Sequence, residues 1–136
     1  MDGVILTPLK IIFNENGNVF HGMKASDKGF QGFGEAYFSS LKKGAIKGWK
    51  KHNRMTLNLV VILGEIKFVI FNGKDYFEVL LSMNNYQRLT IRAGLWIAFK
   101  GFSEKNILLN MANIEHDPNE CDLTNLESFD YNWNKK

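Results

Sequence analysis

The sequence predicts an all-β antiparallel sandwich or barrel with little helix, and three observations carry that reading. Short runs rich in β-branched and aromatic residues recur at near-regular spacing, each closed by a turn signal. Asn16-Gly17 and Asn72-Gly73 each stand between two such runs, and this dipeptide accepts positive φ at both central positions of a tight hairpin. No apolar pattern keeps a helical period for more than about two turns.

In chain order, Ile11-Ile12-Phe13 and Val19-Phe20 flank the first Asn-Gly turn, and Glu35-Ala36-Tyr37-Phe38 forms the next run. Residues 59–63 and 66–71 are nearly all apolar strand-like runs, and Asn72-Gly73 leads from the second of them into residues 76–81. Residues 88–91, 96–99 and 107–111 complete the set. Lys67 alternates with Ile66 and Phe68, so it is expected at the surface, on one face with Glu65 as a solvated pair. Asn58 shares a face with Val60 and Ile62; a buried amide needs partners, so it is either a site residue or one end of an internal hydrogen bond.

A chain of 136 residues with 45% hydrophobic content can bury a real core, and no Pro/Gly/Ser-rich linker divides it, so residues 1–136 are read as one domain. The net charge of +3 is unevenly spread. Lys42, Lys43, Lys47, Lys50, Lys51 and Arg54 crowd one stretch without an acid, while Glu115, Asp117, Glu120, Asp122, Glu127 and Asp130 crowd another without a base. These are either a local positive field and its counterpart, or two solvated faces that pair with each other. No nucleic-acid motif accompanies the basic stretch, and Gly44-Ala45-Ile46 and Trp49 within it look strand-like and inward, so a nucleic-acid partner is not expected. The single Cys121 allows no internal disulfide, and the N-terminal residues lack a basic region followed by an apolar core. A cytoplasmic location is expected, and no apolar run approaches the ~20 residues of a membrane span.

Residues 44–64 are the most informative stretch. Gly44 and Gly64 hold the two glycine places of the cupin pattern G-x-x-x-x-x-H-x-H-x-x-x-x-E-x-x-x-x-x-x-G, whose ligand places fall on Lys50, His52 and Leu57. The second cupin pattern, P-x-G-x-x-H, is met by Arg92-Ala93-Gly94-Leu95-Trp96-Ile97, with isoleucine at the last ligand place. A transition metal needs about three or four converging donors, and His52 alone supplies one, so no metal cofactor is expected.

The chain resembles the dTDP-4-dehydrorhamnose 3,5-epimerase family of nucleotide-sugar cupins over most of its length. Asn14-Glu15-Asn16-Gly17 is similar to the family's D-x-R-G turn, and residues 40–50 to its S-x-x-x-G-x-x-R-G-L-H segment. Residues 91–99 are similar to I-P-P-G-F-A-H-G-F, and Glu115-His116-Asp117-Pro118-Asn119-Glu120 with Tyr131-Asn132-Trp133 to the closing Y-x-P-x-x-E and I-x-W. The resemblance implies a cupin-type antiparallel jelly-roll β barrel, a homodimer, and a pocket at one end that takes a nucleotide-linked sugar. In the family a histidine removes the proton α to a ketone, a lysine stabilises the enolate oxygen and a tyrosine returns a proton, the three groups that epimerisation beside a carbonyl requires. Here the base place is Lys50, the oxyanion lysine falls at Leu57, the second histidine at Ile97, and the phosphate-binding arginine at Lys47.

The pocket is expected to include Lys47, Lys50, His52, Asn58 and Trp96. Lys50 is the base, with an amine made neutral by burial, a fixed cation for a diphosphate or an acid, or plain surface. His52, on the same strand face as Lys50, is the side chain best suited to titrate near neutrality, the alternative being a structural histidine. Arg54 extends the basic wall toward substrate. His116 is either an acid at the barrel mouth or surface, and Tyr86, Trp96, Tyr131 and Trp133 either stack on a base or sugar or pack the barrel. Two functions follow: an epimerase or ketoisomerase acting on a dTDP- or GDP-linked 4-keto-6-deoxyhexose in surface-polysaccharide assembly, or a cupin without catalysis that binds a nucleotide sugar or a partner enzyme.

Overall fold

The computed structural model describes residues 1–136 and folds them into two five-stranded antiparallel sheets, with helix confined to two single-turn 3₁₀ segments. The strands are β1 (Val4–Pro8), β2 (Ile11–Ile12), β3 (Val19–Phe20), β4 (Glu35–Lys42), β5 (Ile46–His52), β6 (Leu57–Leu63), β7 (Ile66–Phe71), β8 (Tyr76–Leu81), β9 (Gln87–Ile91), β10 (Trp96–Gly101), β11 (Lys105–Ala112) and β12 (Cys121–Leu123). One sheet runs β1-β9-β6-β11-β4, the other β12-β5-β10-β7-β8, and β2 with β3 forms a separate hairpin. This is the antiparallel double sheet that the short runs predict, in the jelly-roll form that the family resemblance implies.

The core lies between the sheets and is supplied at period two. Leu57, Leu59 and Val61 of β6 meet Ile66, Phe68 and Ile70 of β7, with Leu89, Ile91, Ile97 and Leu108 closing the layer. Each fully buried side chain of this size contributes roughly 1.5–3 kcal/mol. Gly64 turns β6 into β7 at φ 79°, where a Cβ would stand 2.2 Å from the Lys105 carbonyl oxygen, so this cupin glycine place admits no side chain.

Both Asn-Gly hairpins form, by a different device from the one the sequence suggests. Only the glycines take positive φ. Asn72 instead folds its side chain back, Oδ1 accepting from the Lys74 and Asp75 amides at 2.9 and 2.7 Å, and Asn14 Oδ1 accepts from the Asn16 amide.

The outer face of the β5-containing sheet is not solvated. The segment after β12 crosses it and buries Trp49, Val69 and Ala98 beneath Leu126, Phe129, Tyr131 and Trp133. Trp49 is 1% exposed and its Nε1 donates to the Leu126 carbonyl at 3.1 Å. It is therefore buried outside the barrel, not inside. The same covering corrects the expectation for Lys67, which is 3% exposed. Its Nζ donates to the Lys135 carbonyl, sits 5.2 Å from the Tyr131 ring centroid and faces Glu78 rather than Glu65, which pairs with Lys136. Burial holds the Lys67 ammonium below the usual lysine range, with Glu78 opposing. No helix is long and apolar enough to cross a membrane.

Candidate active site

Strand β5 carries the functional side chains, and a bulge in it decides which of them face inward. Lys47 pairs with Phe99 and Lys50 with Ile97, so Gly48 and Trp49 together oppose the single residue Ala98. The extra residue brings Lys47 and Lys50, three positions apart, onto one face and sends Trp49 to the other. His52, two residues on, keeps the Lys50 face.

That face opens on a cavity of about 190 Å³ between the sheets. Lys47, Gly48, Lys50 and His52 of β5 line it with Ile97 and Phe99 of β10. The opposite wall is Tyr37 and Ser39 of β4, Leu57 and Leu59 of β6, and Leu108 and Asn110 of β11. No carboxylate lines the cavity, while two lysines do. Lys47 Nζ donates to the Ser40 carbonyl at 3.0 Å. Lys50 makes no ion pair or hydrogen bond through its side chain, so its charge is free for a ligand.

Behind His52 stands Glu120, 4% exposed, delivered by a single 3₁₀ turn that Asp117 caps through the Asn119 amide. His52 Nδ1 is hydrogen-bonded to Glu120 Oε1. Glu120 Oε2 accepts from the amides of Asn53, Arg54 and Met55 at 3.0, 3.1 and 3.4 Å. Burial raises the Glu120 carboxyl, but the hydrogen bonds from His52 and from the Arg54 and Met55 amides outweigh it and hold it below the usual glutamate range. In a neutral His52, the bond to an ionised Glu120 puts the ring proton on Nδ1 and leaves the lone pair on Nε2. The hydrogen-bonded His52–Glu120 pair thus stands beside a cavity lined by two lysines.

The basic and acidic stretches of the sequence meet here. Strand β12 pairs with β5, setting Lys51 Nζ 3.5 Å from Asp122 and Arg54 Nη2 2.7 Å from Asp117, with His52 on Glu120 between them. The exposed Arg54–Asp117 pair contributes at most about 1 kcal/mol.

Of the side chains expected at the site, Lys47, Lys50 and His52 come together, and the rest do not line the cavity. Asn58 is 1% exposed on the far side of its sheet, where Nδ2 donates to the Gly29 carbonyl at 3.1 Å and Oδ1 accepts from Thr90 Oγ1 at 2.6 Å. It is the internal hydrogen-bond end of the two alternatives. Trp96 packs outside the barrel on Phe129, its ring under the Lys51 ammonium. Tyr86 is buried with its hydroxyl on the His21 carbonyl. Tyr131 bonds Glu78 on the outer face, and burial followed by that carboxylate pushes its phenol far up. Trp133 lies beside it, edge-on at 4.7 Å. Arg54 turns to Asp117, and His116 is exposed in the turn before it.

Tyr37, Asn110 and the role of Glu120 are what sequence reasoning missed. Asn110 carries a signal, an amide inside the apolar run 107–111, of the same kind that singled out Asn58. No three of His, Cys, Asp and Glu converge anywhere to form a metal-binding group.

A search of curated proteins finds no match. Among solved structures, the fold is similar to a dTDP sugar isomerase from Desulfovibrio desulfuricans G20, at TM-score 0.89 and 28% identity over 93% of this chain and 87% of that one. It is also similar to QdtA, a sugar 3,4-ketoisomerase from Thermoanaerobacterium thermosaccharolyticum, at TM-score 0.80 and 20% identity over 90% and 88%. QdtA has been solved with TDP and, as a histidine-to-asparagine variant, with TDP-4-keto-6-deoxyglucose. The 3,5-epimerase RmlC from Legionella pneumophila, in complex with dTDP-4-keto-L-rhamnose, matches at TM-score 0.76 and 19% identity over 89% and 72%. At the last two identities the likeness speaks for the fold alone. The family model described as FdtA: WxcM-like, C-terminal, matches residues 2–131, and the chain belongs to that family.

Proposed function

We propose that this protein is a nucleotide-sugar isomerase, an epimerase or ketoisomerase acting on a dTDP-linked 4-keto-6-deoxyhexose, or its GDP counterpart, by metal-independent proton transfer through an enolate. The observation that carries this reading is His52, fixed by the buried carboxylate of Glu120 and lining a cavity that holds two lysines and no acid. His52 Nε2 takes the proton α to the ketone, and the electron pair moves onto the ketone oxygen. Positive charge in a site partly shielded from water stabilises both that oxyanion and the diphosphate; Lys47, nearer the solvent, serves the diphosphate, and Lys50 lies next to the base. Tyr37, on the wall opposite β5, returns a proton. The leucine and isoleucine wall suits a deoxy sugar's methyl group. The ligands of the solved structures above have the same chemistry.

A second reading keeps binding and drops turnover, because Leu57 and Ile97 put apolar surface into the cavity where the related epimerases have catalytic side chains. Incubation with dTDP- and GDP-linked 4-keto-6-deoxyglucose, followed by NMR of the sugar, separates the readings. A new ketoisomer or epimer supports the enzyme, binding without conversion supports the module, and no binding sinks both. Lys47→Ala is expected to raise KM tenfold or so with kcat little changed, as loss of a uniform phosphate contact does.

The proposal includes a homodimer working in the cytoplasm on surface-polysaccharide precursors. The β2–β3 hairpin exposes Ile11, Ile12, Phe13, Val19 and Phe20, and the β4 edge exposes Phe38 beside Phe33. An apolar edge of this kind favours pairing between copies. Light scattering at micromolar concentration is expected to return twice the chain mass; a monomer contradicts the dimer.

A further inference from the structure

Resting on the reading of Tyr37 as the proton donor, we infer that Asn110 is a positioning residue that sets the polarity of the Tyr37 hydroxyl, so that its proton is directed to the substrate. Tyr37 and Asn110 are directly opposed cross-strand partners on β4 and β11. The Asn110 side chain is 1% exposed. Its Oδ1 accepts from the backbone amide of Asn58 at 3.1 Å, a donor that has no other role to play. Its Nδ2 is therefore the end that faces Tyr37 Oη, at 3.0 Å, with Met55 Sδ at 3.9 Å as a further weak acceptor.

An amide N–H donates and cannot accept, so Tyr37 Oη is an acceptor in this bond. Its own proton is left without a partner in the protein and is free for the cavity that Tyr37 and Asn110 both line. The same bond assists the chemistry. When the enolate carbon takes the proton, the O–H bond of Tyr37 breaks, a C–H bond forms, and the ketone is restored. The phenolate that remains is stabilised by the Asn110 N–H until water returns its proton, while His52 gives its own to solvent. Asn58, buried on the far side of the sheet, joins this chain through its backbone alone.

Asn110→Asp reverses the polarity at constant shape. The carboxylate still accepts from the Asn58 amide, but its other oxygen accepts the Tyr37 proton and repels the phenolate. The predicted result is product formation lowered about a hundredfold, the range for loss of a positioned acid, and matched by Tyr37→Phe. Exchange of the substrate α-proton with deuterated buffer, which needs only His52, is expected to persist in both variants. The second readout is independent of turnover: the tyrosine Fermi-doublet ratio in a Raman difference spectrum against Tyr37→Phe. It should be high in the unmodified chain, as for an acceptor phenol, and low in Asn110→Asp, as for a donor. Asn110→Leu, which removes the donor at similar shape without adding charge, serves if the aspartate variant does not fold, and is expected to lose the high ratio. A donor-type ratio in the unmodified chain, an unchanged ratio in the variants, or equal loss of exchange and product overturns the inference. If the protein converts no nucleotide sugar, the enzyme reading fails, and the Raman ratio still decides the polarity of Tyr37.

Discussion

His52→Gln is expected to lower turnover of the 4-keto sugar by about a hundredfold to ten-thousandfold while leaving nucleotide-sugar affinity close to that of the unmodified chain. Glutamine retains an amide N–H that can donate to Glu120, so the buried carboxylate keeps a partner, but it has no titratable nitrogen to take a proton. The magnitude is that of removing a positioned general base. Steady-state kinetics with a parallel binding measurement checks it. Equal losses in kcat and in affinity would show that His52 shapes the cavity and does not act on the substrate.

Glu120→Ala is expected to have the largest effect on stability. The side chain serves His52 through one oxygen and the amides of Asn53, Arg54 and Met55 through the other. Its removal leaves these donors without their acceptor at a part-buried site, a loss of about 3–5 kcal/mol at most on the scale of broken buried pairs. Against a total of about 5–15 kcal/mol for a domain, this lowers the melting temperature by on the order of 10 °C or more. The sign of the pH dependence is fixed by the same contacts. Because the folded state holds the Glu120 carboxyl below its ordinary value near 4.5, its contribution is complete above that pH and is lost as pH falls below it. Thermal melts of the unmodified chain and Glu120→Gln should therefore converge toward acid pH and diverge toward neutrality. A gap that stays constant as pH falls below 4.5 would remove Glu120 as an ionised partner of His52.

The fold was legible because its signal is local. Residues 59–63, 66–71 and 107–111 announce buried strands by composition, and their alternation assigns faces correctly for Leu59, Val61, Ile66 and Phe68. What depends on distant chain was hidden. Lys67 alternates outward as expected, yet the outward side is covered by residues 126–135, some sixty positions away along the chain. Trp96 and Tyr131 were drawn into the site by their aromaticity, and the same covering segment takes both. Strand β1, ending in Thr7-Pro8, has too weak a pattern to stand out, and β12 is three residues long.

Within the site, the spacing of Lys50 and His52 was readable from period two, whereas Lys47 joins them only through the bulge at Gly48-Trp49. The segregated charges of residues 42–54 and 115–130 pointed to a pairing without specifying its register. That register, set by β12 lying along β5, is what brings Glu120 of the acidic stretch onto His52. Tyr37 sits in a run read as a plain strand, and only the pairing with Asn110 across the sheet brings it to the cavity wall.

The central claim, that His52 removes a proton beside a ketone, is tested most directly by solvent exchange. The unmodified chain is incubated with dTDP-4-keto-6-deoxyglucose in deuterated buffer and the sugar is read by mass spectrometry and NMR. Deuterium is expected at a carbon adjacent to the ketone, at a rate well above a protein-free control, and His52→Gln is expected to return that rate to the control. Exchange that survives in His52→Gln and vanishes in Lys50→Ala would move the base to Lys50, and binding of the nucleotide sugar by the unmodified chain without any incorporated deuterium would contradict the enzyme altogether.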